Sequence, residues 1–180
     1  MKRVFVTGNA GAGKSTLANF LGKALALPVY SLDQIVWQPD WRKTPKEQKR
    51  QRIDELIRSS DKWVIEGVSQ IVMEAADTIV FLDVPRHVCL WRCLKRNIHF
   101  LFRSRPDLPD RCPELLIFPE LIRIIWNFPT NVRPSIMKHL RETEHNQTVS
   151  ILENYTDVEH VLFLMRQASR GSQKPELSAE

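Results

Sequence analysis

The stretch Gly8-Asn9-Ala10-Gly11-Ala12-Gly13-Lys14-Ser15-Thr16 constrains this chain more than any other. It fits the spacing G-x-x-x-x-G-K-[ST] at every fixed position. The residues before it, Lys2 to Thr7, read as a short buried strand, and those from Ser15 to Ala26 read as a helix. Glycines let successive backbone N–H groups turn inward around a phosphate, where a Cβ would crowd the loop. A helix start adds unpaired N–H donors and a partial positive charge. In such a loop Lys14 reaches the β- and γ-phosphates and the Ser15 hydroxyl holds Mg²⁺. Gly8, Asn9, Ala10, Gly11, Ala12, Gly13, Lys14, Ser15 and Thr16 are therefore candidates to bind a nucleoside triphosphate. A dinucleotide site is a poorer reading of the same glycines. It leaves Lys14-Ser15 unexplained, and the run after Asp33 is aromatic and Pro-broken.

A chain of 180 residues suits one domain with a real core. No apolar run approaches the ~18 residues of a membrane span, and a strand at the very start leaves no signal peptide to expect. Cys89 and Cys93 lie one helical turn apart, and Cys112 follows a Pro-rich loop. His87 and His99 are near them, but the spacing matches no zinc pattern, so buried or half-buried free thiols, which fit a reducing cytoplasm, are expected. The net charge of +5 permits nucleic-acid binding and equally suits an enzyme of phosphorylated substrates. Positive charge gathers from Lys95 to Arg111, whereas Trp63 to Pro85 contains no Lys or Arg.

Five strands are expected, over 2–7, 28–31, 63–66, 78–83 and 148–152, with enough chain between them for helices. Val4-Phe5-Val6 and Ile79-Val80-Phe81-Leu82 are continuous apolar runs, as parallel strands covered on both faces require. The alternation argues for an α/β sandwich. Thr44-Pro45-Lys46-Glu47 reads as a capping box, with Pro45 in the first helical position. A long helix is expected from Arg86, with Val88, Leu90, Trp91 and Leu94 as its apolar residues and a break at Arg103–Asp110. Two further helices, about 114–127 and 132–143, are expected either side of Phe128-Pro129-Thr130-Asn131. Residues 1–168 form one domain in this reading, and 169–180 a disordered tail.

Asp33 follows the second strand, so it belongs at the C-terminal edge of the sheet, where open α/β folds bind ligands. There it can take a proton from a substrate hydroxyl, or serve as a helix cap. Trp37 and Trp41 either wall an acceptor pocket or pack as core. Glu66 ends a strand and can orient Mg²⁺ waters, as a Walker-B-type acid does. Asp83 competes for that role, although its place before Pro85 is explained by capping. Arg92 and Arg96, spaced i,i+4, face one way and can stack on a base and neutralise a migrating phosphoryl group. Arg103, Arg105 and Arg111 occupy a segment able to close over a nucleotide.

Together the loop, Leu32-Asp33-x-x-x-Trp37 and Asp83-Val84-Pro85…Trp91-Arg92-x-x-x-Arg96 resemble the adenylate-kinase-like P-loop kinases. More narrowly, Asp33…Trp37-x-Pro39-x-Trp41, Arg105-Pro106-Asp107…Cys112-Pro113-Glu114 and Ile125-Trp126-Asn127 resemble the bacterial DNA topology-modulation proteins. The resemblance covers roughly residues 1–165. It implies a three-layer P-loop NTPase fold, a five-stranded parallel sheet in order 2-3-1-4-5 and a small helical lid at about 97–131. It also implies that Arg92 packs on the adenine, that Arg96 reaches the phosphates and that Asn154 borders the base. Two departures stand out. Glu66-Gly67-Val68-Ser69 replaces the group's Asp-Gly-Asn-Tyr, and the chain from there to Asp77 has none of the arginines with which adenylate kinases grip an acceptor phosphate.

The expected function is therefore an ATP- and Mg²⁺-dependent kinase acting on a hydroxyl acceptor such as a nucleoside, nucleotide or sugar. Lys14, Asp33 and Arg96 would be catalytic, Arg92 and Asn154 would hold the nucleotide, and Ser15 and Glu66 the metal. Such a protein would be cytoplasmic and a monomer or weak dimer. The alternative is a nucleotide-dependent DNA-binding protein, with the basic stretch on the phosphate backbone and binding that falls steeply with salt. A regulatory GTPase is disfavoured, because neither Asn-Lys-x-Asp nor Asp-x-x-Gly occurs in the chain.

Overall fold

The computed structural model describes residues 1–38, 42–99, 114–143 and 146–153. The expected apolar runs become five parallel strands: β1 (Arg3–Gly8), β2 (Val29–Ser31), β5 (Trp63–Glu66), β6 (Thr78–Leu82) and β7 (Thr148–Leu152). Their order across the sheet is β2-β5-β1-β6-β7. Counted by themselves in chain order, the five run 2-3-1-4-5, as the resemblance implied. The two remaining strands, β3 (Trp37–Gln38) and β4 (Arg42–Lys43), form a small antiparallel hairpin outside the sheet.

Alternate residues of a strand face opposite ways, and the core divides accordingly. On one face Val4, Val6, Val64 and Val80 pack with Leu17 and Leu21 of α1 (Lys14–Leu25) and with Cys89 and Cys93 of α5 (Arg86–His99). On the other, Phe5, Trp63, Ile65, Ile79 and Phe81 pack against α3 (Lys46–Ser59), α4 (Gln70–Ala75) and α7 (Arg133–Thr143). The helix α6 (Glu114–Asn131) serves both, with Ile125 in the first cluster and Phe128 in the second. A four-residue helix, α2 (Asp33–Val36), follows β2 directly.

Three local expectations, on Pro129, Thr44 and Asp83, are corrected. Pro129 does not end a helix, because α6 continues through it to Asn131. Thr44 does not cap α3. Pro45, with ψ of 145°, is itself the capping residue, and the Thr44 hydroxyl is buried without a hydrogen bond. In α5 the buried pair is Cys89 and Cys93, whereas Trp91 is 65% exposed and Leu94 is exposed as well. Val88 and Leu90 are partly buried against the same cluster as the two thiols. Asp83 holds Arg133 rather than a helix end, accepting from Nε at 2.9 and 3.1 Å and from Nη2 at 2.6 Å. That bidentate grip also raises the guanidinium's pKa.

Candidate functional site

The loop between β1 and α1 is shaped largely by Asn9, which is 2% exposed. Its Oδ1 accepts from the Ala10 N–H at 2.8 Å, and its Nδ2 donates to the Ile125 carbonyl of α6 at 3.0 Å. Its own carbonyl accepts from the Ala12 N–H at 3.2 Å and from Lys14 Nζ at 3.0 Å. Gly13 caps α1, and no side chain caps it in addition, which leaves the first-turn N–H groups facing the loop's cradle. Gly11 lies against α5 with φ of +77°. A Cβ there would sit 2.5 Å from the Cys89 carbonyl oxygen and 2.7 Å from Cys93 Sγ, so only glycine fits.

Beside the loop, the Glu66 carboxylate ends β5 and is 2% exposed. Its Oε1 accepts from Ser15 Oγ at 3.2 Å and from Ser31 Oγ at 2.5 Å. Among the described residues no Lys or Arg pairs with it. A buried carboxylate held by two hydroxyls alone is costly unless a cation joins it. Mg²⁺ takes hard oxygen ligands, so the Ser15 hydroxyl and the Glu66 carboxylate fit that ion. Asp33 is half-buried at the first position of α2, one strand over from Glu66 at the same edge of the sheet. Ser15 is half-buried and Thr16 exposed.

Gly67 follows Glu66 with φ of +143°, and a Cβ on it would meet the Leu32 side chain at 2.7 Å. This approach lets the Leu32 N–H reach the Glu66 carbonyl at 2.9 Å and brings the start of α2 alongside β5. Ser69, in the segment that departs from the resembling group, caps α4 by accepting from the Val72 N–H at 3.4 Å.

From the far side, Arg92 Nη1 donates to the Ala12 carbonyl at 3.2 Å, so this arginine reaches the loop. Arg96 Nη2 lies 3.7 Å from Cys93 Sγ, one turn further along α5. Burial, followed by the neighbouring Cys93 thiol, pushes the Cys89 thiol up to about 11, although Lys14 and Arg92 act in the opposite direction. Lys43 Nζ sits 5.6 Å over the Trp37 ring and 3.8 Å from Glu120 of α6, so the hairpin reaches toward α6. Asn154, Trp41, Arg103, Arg105, Arg111 and residues 100–113 of the expected lid lie outside the described residues. The lid's described C-terminal end carries Ile125 and Phe128, both in the core.

The structure thus gathers the loop, Ser15, Glu66 and Arg92 directly, with Asp33 at the same sheet edge. Ser31, the Asn9–Ile125 bond and Arg133 were missed. Ser31 had one readable signal, its place at the end of a strand beside Glu66. The Ile125 carbonyl had none, since any residue offers one. The basic run at 42–52 was readable but overlooked: Arg42, Lys43, Lys46, Lys49, Arg50 and Arg52 stand against Glu47 alone.

No family model matches the chain, and no curated protein is significantly similar to it. Solved structures do match. The chain is similar to a sugar kinase from Janibacter sp. HTCC2649, with a TM-score of 0.52 and 13% identity over 100% of this chain and 99% of that one. It is also similar to shikimate kinase from Bacteroides thetaiotaomicron, with a TM-score of 0.52 and 19% identity over 94% of this chain and 98% of that one. At these identities the likeness establishes the architecture alone: this chain has the α/β fold of the P-loop kinases.

Proposed function

We propose that this chain is an ATP-dependent small-molecule kinase. The observation that carries the reading is the Ser15–Glu66 contact at 3.2 Å, a loop hydroxyl bonded to a buried carboxylate that pairs with no Lys or Arg among the described residues. Both groups stand where a triphosphate's metal would be needed. The kinase fold of the two structural neighbours supports the same class of reaction.

In this reading the loop amides and Lys14 hold the β- and γ-phosphates, with Arg92 at the loop and toward the base. Asn154 borders the base. Ser15 and Glu66 hold Mg²⁺, which when bound neutralises charge on the phosphate oxygens. Asp33 accepts the proton of the acceptor hydroxyl as that oxygen bonds to the γ-phosphorus. The bond from the γ-phosphorus to the bridging oxygen breaks, and ADP leaves with its electron pair. Arg96 stabilises the migrating phosphoryl group. The acceptor is a nucleoside, nucleotide or sugar-like hydroxyl compound, and the narrower kinship with the DNA topology-modulation proteins belongs to this same proposal. The buried thiols of Cys89 and Cys93 support a cytoplasmic protein.

The test is a screen of nucleosides, nucleotides and sugars for acceptor-dependent ADP release. At least one class is expected to raise ADP formation well above the acceptor-free rate. Uniform background across all three classes would remove the kinase reading.

A further inference from the structure

Pro129 stands inside α6, where most residues would donate an N–H to the carbonyl four positions back. That carbonyl belongs to Ile125. Proline has no N–H to give, and Ile125 is 0% exposed, so water does not take its place. The group that arrives is the Asn9 side-chain amide, at 3.0 Å across 116 residues of sequence. The same Asn9 side chain accepts from the Ala10 N–H, and its main-chain carbonyl receives Lys14 Nζ at 3.0 Å. A proline in one helix and the conformation of the phosphate loop are therefore joined by a single buried hydrogen bond.

We propose that Pro129 and Asn9 act together as positioning residues for the nucleotide loop. By withholding an N–H, Pro129 leaves the Ile125 carbonyl directed at Asn9. Asn9, fixed at its amide end, sets Ala10 at the loop's turn and the resting place of the Lys14 ammonium. Neither side chain needs to touch the nucleotide, because the effect passes through the loop backbone and Lys14. A donor is required at Asn9 Nδ2 and an acceptor at Oδ1, so of the common side chains asparagine meets both demands at this length. An alanine at 129 would offer the Ile125 carbonyl an ordinary helical partner and draw it back toward the helix axis.

The inference rests on the loop being a nucleotide site, but not on the identity of any acceptor. ATP binding to the full chain is measured by calorimetry in the presence of Mg²⁺, alongside thermal unfolding, for wild type, Pro129→Ala, Asn9→Asp and the double variant. Pro129→Ala is expected to keep or raise Tm, because alanine is the better helix former, while binding ATP about tenfold more weakly. A merely structural proline would not separate the two readouts in that direction. Asn9→Asp removes the donor while preserving size, and a similar loss of affinity is expected. The double variant should be no weaker than the worse single one, since both break the same bond. Unchanged ATP affinity in Pro129→Ala, or losses that simply add, overturns the coupling while leaving the nucleotide reading intact. Failure of the wild-type chain to bind ATP overturns both.

Discussion

The two sides of the site are built differently. The phosphate side is gripped from every direction: Gly11 lies on α5, the Ala12 carbonyl takes Arg92, and Asn9 is bonded into α6. The facing side consists of the four-residue α2, in which no residue is fully buried, the two-residue strands of the hairpin and an exposed Val68. Glu66, held by Ser15 and Ser31, and the close Gly67–Leu32 approach bind that side to the sheet. Triphosphate groups are alike in every nucleotide, so a rigid backbone cradle can serve them all. An acceptor is particular, and its half of the site rests on a few side chains carried by short elements.

The comparison is best attacked at Lys14. If the phosphate side carries the chemistry, Lys14→Ala should cut turnover by ~10²-fold or more, the range for losing a preorganised transition-state contact. Steady-state ADP release decides this, and near-normal turnover would make the loop a bystander. Rigidity is tested next by Gly11→Ala. The added Cβ meets a backbone carbonyl at 2.5 Å in a left-handed conformation, so a loss of about 2 kcal/mol is expected in urea unfolding. An unchanged midpoint would mean that α5 yields easily.

Glu66→Gln probes the joint between the two sides. It keeps acceptors for both serines but removes the charge, so half-saturating Mg²⁺ should rise about tenfold without loss of Tm. The same Mg²⁺ dependence in both proteins would take Glu66 out of the metal site. The smallest effect expected comes from Cys89. Its thiol is raised from 9.0 to about 11 in the folded chain. The raised value favours the folded state fully below pH 9, and the advantage is lost as pH climbs toward 11. By pH 10 the loss is about 1 kcal/mol. Denaturant midpoints at pH 8 and pH 10 should therefore differ more in wild type than in Cys89→Ala, and equal slopes would contradict it.

Legibility followed the origin of each feature. The strands were readable because both faces of a central parallel strand must be apolar, and Val4-Phe5-Val6 and Ile79-Val80-Phe81-Leu82 satisfy that locally. The loop was readable because its glycines and Lys14-Ser15 answer a backbone requirement at fixed spacing. Pro129 misled because its lost helical bond is compensated from a loop more than a hundred residues away. Asp83 misled in the same way, since its partner Arg133 lies 50 positions on. In α5 the burial of Cys89 and Cys93 was readable, whereas the exposure of Trp91 and Leu94 depends on what packs beside the helix. Ser31 went unassigned because a hydroxyl gains its meaning here only from Glu66 on the neighbouring strand.

The strand order also bears on how the chain is made. β1 is translated before the other four strands of the sheet, yet it is the central one, and its partners begin about 60 and about 75 residues later, at Trp63 and Thr78. Until Trp63–Glu66 has been synthesised β1 has no neighbour on one side, and until Thr78–Leu82 it has none on the other. The loop on its end waits longer still, because Asn9 cannot find its carbonyl before residue 125 exists. The first of the five strands to be translated thus carries a loop that is among the last parts of the site to reach its working shape.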